Sequence, residues 1–219
     1  MIVDLYRSGN KYGVNKHMTD DQFFWYMVVQ IALALGTIAL AVMALWGHTI
    51  RMKLYGPKLK IELKNIKGTQ SQFQDGVMSY YYHLRVKNEN RISSAHNVRV
   101  VVKDLRRFDV NGNMKSESPS GPLQLMWQLQ RYKPQYQTIG AESICDLGFI
   151  RKGENFQLST LYRPISFDNS LLSNQKMLVV LVAQSDEVES NELRLEISWN
   201  GKWSEELDAM SKNLIIKTV

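Results

Sequence analysis

The chain has 219 residues, with 27 Lys and Arg against 21 Asp and Glu, one cysteine and 44% hydrophobic residues. That length suits one folded unit plus an appendage, since domains usually run to roughly 100–200 residues. One cysteine rules out an internal disulfide framework, and with four scattered histidines it leaves no zinc-ligand set.

From Phe23 to Gly47 there are 25 residues without a charge, Gln30 and Thr37 being the few polar members. A helix crosses the hydrocarbon core in about 20 residues, so 23–47 reads as a transmembrane helix preceded by a short tail over 1–22. Phe23, Phe24, Trp25 and Tyr26 at one end and Trp46 at the other suit the headgroup level. Ala39-Leu40-Ala41 resembles a cleavage site, yet the stretch outruns the roughly 7–15 apolar residues of a signal peptide, and Asp20 and Asp21 precede it. Ala32, Gly36 and Ala39 set small residues along the helix, where a second helix can approach closely.

Ahead of the span, Arg7, Lys11 and Lys16 balance Asp4, Asp20 and Asp21. Behind it, residues 51–67 hold Arg51, Lys53, Lys58, Lys60, Lys64 and Lys67 against Glu62 alone. Lys and Arg accumulate on the cytoplasmic side, which predicts an N-terminus outside and the rest of the chain inside, at the plasma (inner) membrane. Residues 48–57 read as a basic juxtamembrane linker, and Arg51, Lys53, Lys58 and Lys60 as lipid-surface contacts. The lone Cys145 and the lack of any Asn-x-Ser/Thr acceptor agree with a reducing compartment. Residues 68–219 carry 18 basic and 17 acidic side chains, so the part that folds is nearly neutral and no nucleic-acid partner is expected.

From Lys58 onward the apolar residues alternate. Leu59, Ile61 and Leu63 do so in Lys58–Lys64; Tyr80, Tyr82, Leu84 and Val86 in Tyr80–Lys87; Val98, Val100 and Val102 in Val98–Lys103; Leu193, Leu195, Ile197 and Trp199 in the segment they bound. Period two marks strands with one buried face. The unbroken run Met177–Ala183 reads as a central strand covered on both faces. Leu123–Leu129, Thr138–Phe149 and Phe156–Leu161 are further strand candidates, separated by turn signals at Asn111-Gly112, Pro119 to Pro122, Lys152-Gly153 and Asn200-Gly201. Asn169–Asn174 is expected as a helical turn or loop, and 204–212 as a short helix before a last strand at Leu214–Lys217. These elements predict a mainly β chain: an N-terminal transmembrane α-helix, then an antiparallel immunoglobulin-like β-sandwich over 58–219.

Catalytic and cofactor motifs are missing. His17, His48, His83 and His96 show no metal-ligand spacing. Asp109-Val110-Asn111-Gly112-Asn113 begins like a calcium loop, but Met114 takes the place of the turning glycine, and a hairpin turn is expected instead. Ser173 and Lys176 match Ser-x-x-Lys without its companion boxes, and no glycine-rich phosphate cradle occurs. Cys145, followed by Asp146, reads as a buried structural thiol. No enzyme, cofactor or metal is expected. Tyr81, Trp127, Tyr132, Tyr136 and Trp203 are candidates for a protein interface, with the sandwich core as their alternative place.

The order of segments, with Gly56-Pro57-Lys58-Leu59-Lys60-Ile61, His83-Leu84-Arg85-Val86-Lys87-Asn88, Ala95-His96-Asn97-Val98-Arg99-Val100, Leu125-Met126-Trp127 and Cys145-Asp146-Leu147-Gly148, resembles that of bacterial single-pass membrane proteins carrying an immunoglobulin-like, CARDB-like domain. The resemblance covers roughly 55–150 and implies a fold, which by itself gives no activity. Apart from any family, Asn88 is placed to cap a turn and Ala95 and Asn97 to start the next strand at a corner. The functional expectation is a membrane-anchored interaction or accessory module whose partners are the lipid bilayer and either another protein or its own copies. An oligomerising, membrane-perturbing effector, for example of an antiviral defence system, is the alternative.

Overall fold

The uncharged stretch belongs to a longer helix, α1 (Asp20–Tyr55), of 36 residues. At about 1.5 Å per residue it extends about 54 Å, against about 30 Å of hydrocarbon. Its most apolar 18-residue window is 0% buried, so α1 is long and apolar enough to cross a membrane. The helix stops where its geometry requires it. Gly56 donates its N–H to the Met52 carbonyl at 2.8 Å, a Cβ at Gly56 would run into that carbonyl, and Pro57 follows without an N–H. The basic stretch expected as a linker is therefore helical as far as Tyr55.

The structure, a computed structural model, describes residues 20–73, 75–109, 111–116, 121, 123–128, 135–164 and 167–219. The chain divides after Ile50 into two compact units. The second unit contains β1 (Leu59–Leu63), β2 (Thr69–Gln72), β3 (Met78–Asn88), β4 (Ala95–Phe108), β5 (Met114–Ser116), β6 (Leu123–Gln124) and β7 (Gln137–Ile139). After these come β8 (Glu142–Arg151), β9 (Phe156–Leu158), β10 (Ser170–Leu171), β11 (Gln175–Gln184), β12 (Leu193–Trp199), α2 (Leu207–Asn213) and β13 (Leu214–Thr218). One sheet runs β1-β3-β8-β9-β10 with β2 also on β3, and the other β13-β12-β11-β4-β5 with β6 and β7 also on β4; every pairing is antiparallel. Side chains of both sheets join one core, so the fold is a two-sheet antiparallel sandwich.

Alternation in sequence becomes alternation in burial. Tyr80, Tyr82, Leu84 and Val86 of β3 are 0% exposed, and Leu195 and Ile197 of β12 match them from the opposite sheet. β11 lies between β12 and β4, and Val179 to Ala183 are buried in succession, as an unbroken apolar run requires. Residues Leu123 to Gln128 leave the second sheet and reach the first: Leu123 and Gln124 pair with β4, while Trp127 bridges to Cys145 of β8. At the corner where α1 exits, Asn88 is 2% exposed; its Oδ1 accepts the Lys58 N–H at 3.0 Å and its Nδ2 donates to the Ser93 carbonyl at 2.6 Å.

Several expectations are corrected. The stretch Thr138–Phe149 is two strands, β7 and β8, because the chain reverses at Gly140 and Ala141. Strand structure within Leu123–Leu129 is limited to β6 and isolated bridges, and Leu129 lies outside the described residues. The segment from Phe156 leaves its strand at Leu158, short of Leu161. Asn169–Asn174 contains β10: Leu171 is 0% exposed and pairs with Phe156, and the Asn169 amide donates to the Leu158 carbonyl at 2.8 Å. Of the Pro119 to Pro122 turn, only Gly121 is among the described residues.

Candidate functional site

His83 stands on the face of β3 that alternation assigns to solvent, yet it is only 5% exposed. Two features account for this. A register shift between Tyr82 and His83 locally alters the pairing of β3 with β8 and sets His83 opposite Asp146, whose Oδ1 lies 2.8 Å from His83 Nδ1. Gln128, at the end of the segment that changes sheets, brings its Nε2 to 3.3 Å from His83 Nε2. In the neutral ring, Nδ1–H donates to the carboxylate and Nε2 accepts from the Gln128 amide, so the neighbours select one tautomer.

Tyr81, two residues earlier on the same face of β3, stacks on the His83 ring. Its ring lies 6.3 Å from that of His83 at an interplanar angle of 6°, and 5.5 Å from Phe149 at 29°. Phe73 completes the cluster at 5.8 Å from both Tyr81 and Phe149, with the Arg151 guanidinium 4.5 Å above its ring. Burial, and then the charge of Asp146, raises the Tyr81 hydroxyl above its ordinary pKa. A cavity of about 340 Å³ opens beside these residues, lined also by Thr69, Gln70 and Ser71. The chain matches no family model, and comparison with curated proteins finds no relative. Any reading of this face therefore rests on its own chemistry. That chemistry offers a carboxylate, amides, hydroxyls and an aromatic wall.

The nearest thiol does not join in. Cys145 is fully buried, its Sγ is 3.2 Å from the Met126 carbonyl, and burial pushes its pKa well above the usual value. Among the described residues, the hydrogen bonds of His83 go to Asp146 and Gln128, not to a hydroxyl or thiol.

The residues singled out in the sequence fall in separate places. Tyr81 belongs to the cluster above. Trp127 is 3% exposed and takes its place in the core. Trp203 is half-buried against Tyr80, with ring centroids 5.4 Å apart. Tyr136 is 43% exposed, lies under the Arg99 guanidinium at 5.9 Å and borders a second cavity of about 690 Å³ with Gln184 to Glu189. Tyr132 is outside the described residues. Ala32, Gly36 and Ala39 are exposed on α1, and a Cβ at Gly36 would meet nothing within 4 Å. Arg51, Lys53, Lys58 and Lys60 are all exposed, Lys60 being 3.7 Å from Glu89.

Sequence reasoning missed His83, Asp146 and Gln128 as a group. The partners are 63 and 45 residues from His83, and alternation alone places His83 in water. A polar residue at an outward strand position gives no hint of what will cover it.

Proposed function

We propose that this chain is a single-pass membrane protein whose sandwich, on the cytoplasmic side of the plasma membrane, binds a protein partner or its own copies without acting as an enzyme. The observation that carries the reading is α1, an exposed helix of 36 residues with a 25-residue uncharged stretch, joined to an ordered β unit. Orientation follows from the six basic residues at 51–67, against three ahead of the span. The contact surface is the cluster around Tyr81, which combines half-buried rings with a carboxylate and amides at one place. Tethering holds this chain at the membrane and raises its effective concentration toward its own copies or a partner held there.

The test is purification of the full chain from its native cells in mild detergent, with mass spectrometry of what co-elutes and light scattering of the particle. A stoichiometric partner or a homo-oligomer is expected, weakened at least tenfold by Tyr81→Ala, the loss of a typical hot-spot side chain. A monomer with nothing bound overturns the reading.

A second reading, an oligomerising membrane effector, is favoured by the open surface at Gly36, with Ala32 and Ala39 beside it on α1. Under that reading Gly36→Ile abolishes toxicity on expression, while under the first it leaves growth unchanged.

A further inference from the structure

The turn between β3 and β4 is tied to the exit of α1. Ser93 Oγ donates to the Tyr55 carbonyl at 2.7 Å, and the Asn90 side chain donates to the Gly56 carbonyl at 2.8 Å. Within the turn, Asn90 Oδ1 accepts the Ile92 N–H at 3.2 Å, an Asx turn that fixes the backbone at its tip. Ile92 is 75% exposed, more than any other exposed large hydrophobic residue described, and Arg91 beside it is exposed as well.

A single exposed isoleucine is ordinary in a soluble domain, so exposure alone decides nothing. Position decides. The carbonyls that hold this turn belong to Tyr55, the last residue of α1, and to Gly56 just after it, eight and nine residues beyond the end of the uncharged stretch at Gly47. The same corner carries Leu54 at 62% exposure and Tyr55 at 54%, with Arg51, Lys53 and Lys58 exposed around them. Exposed apolar side chains with basic neighbours in sequence match the boundary of an anionic leaflet, where methylenes leave water while basic groups stay with phosphate. Glu89, the acidic neighbour, is offset by Lys60 at 3.7 Å.

We propose that the Arg91-Ile92 turn is a second membrane contact, with Ile92 seated at the headgroup level of the anionic leaflet from which α1 emerges. The inference rests on the membrane-anchor reading above. It makes the attachment two-point, a span plus a basic, apolar-tipped turn.

The full chain, reconstituted into vesicles of phosphatidylglycerol and phosphatidylcholine, provides the test. Three variants with one introduced cysteine each, Leu45→Cys, Ile92→Cys and Ile66→Cys, are labelled with an environment-sensitive fluorophore and read by quenching from nitroxide-labelled lipid. Cys145 is fully buried and gives no background label. Leu45 reports the span, and Ile66, 63% exposed beyond the far end of β1, reports the sandwich away from the α1 exit. Quenching and a blue shift at Leu45 and Ile92, with none at Ile66, are expected. Quenching at Leu45 with Ile92 as unquenched as Ile66 overturns the turn contact and leaves the anchor standing. Equal quenching at Ile92 and Ile66 overturns a contact confined to this corner. No quenching at Leu45 overturns the anchor, and the inference with it.

Discussion

A buried amide such as Asn88 can be worth more than an aliphatic side chain of the same size, because it settles backbone groups that have no other partner. Its side-chain carbonyl satisfies the N–H of Lys58 just ahead of β1, and its NH₂ reaches Ser93 in one turn and Gly140, at 3.4 Å, in another. Asn88→Ala strands those groups, so stability should fall by roughly 1–3 kcal/mol in denaturant unfolding followed by tryptophan fluorescence. Glu187 gives a prediction in pH. Burial opposes its ionisation, but hydrogen bonds from the His96 ring at 2.8 Å and the His96 backbone at 3.1 Å outweigh burial and hold the carboxyl below its ordinary 4.5. A depressed folded pKa contributes stability that is fully present above the unfolded value and disappears as pH falls through the folded one. Glu187→Gln should therefore be less stable than the parent at neutral pH, and the two should converge in acid unfolding below that folded value.

At the scale of elements, what could be read depended on whether an element's own residues carry its pattern. β3, β11 and β12 have buried faces written in their apolar spacing and were recognisable without their neighbours. β2 and β5 are exposed at every position, so nothing in Thr69–Gln72 or Met114–Ser116 betrays a strand; only the backbone ladder to β3 or β4 makes them one. β10 is two residues long and owes its existence to β9. The His83 site was hidden for a similar reason, since its burial comes from Gln128 and Asp146 rather than from the pattern of β3. Gly148 of β8 makes the coupling testable, because a Cβ there would run into the Phe156 ring and the Gln157 carbonyl on β9. Gly148→Ala should cost roughly 1–3 kcal/mol by thermal or chemical unfolding, as overpacking does.

For the whole molecule, composition is misleading until it is split by position. The basic excess sits just after the uncharged stretch and the rest is close to neutral, so under the proposed anchoring the charge bears on orientation rather than on a nucleic-acid face. Hydropathy divides the same way, with one continuous apolar helix followed in sequence by a sandwich whose apolar residues come largely at every second position. Leu35 lies at the centre of the uncharged stretch and is exposed. Leu35→Arg should penalise insertion by about 3 kcal/mol and raise the fraction released from membranes by alkaline carbonate, whereas Leu35→Ile should leave that fraction unchanged.

The strand pairing also sets a timetable for synthesis. α1 leaves the ribosome ahead of the strands, but β3 must wait for β8, with His83 opposite Asp146, and β4 for β11, with Arg99 opposite Gln184. Partners separated by 63 and 85 residues bring a high contact order, which slows folding and prolongs the exposure of unpaired edges. Under the proposed anchoring, α1 is thus available for insertion while every long strand that follows still lacks its mate. If α1 inserts as proposed, each copy is tethered before its strand edges are satisfied.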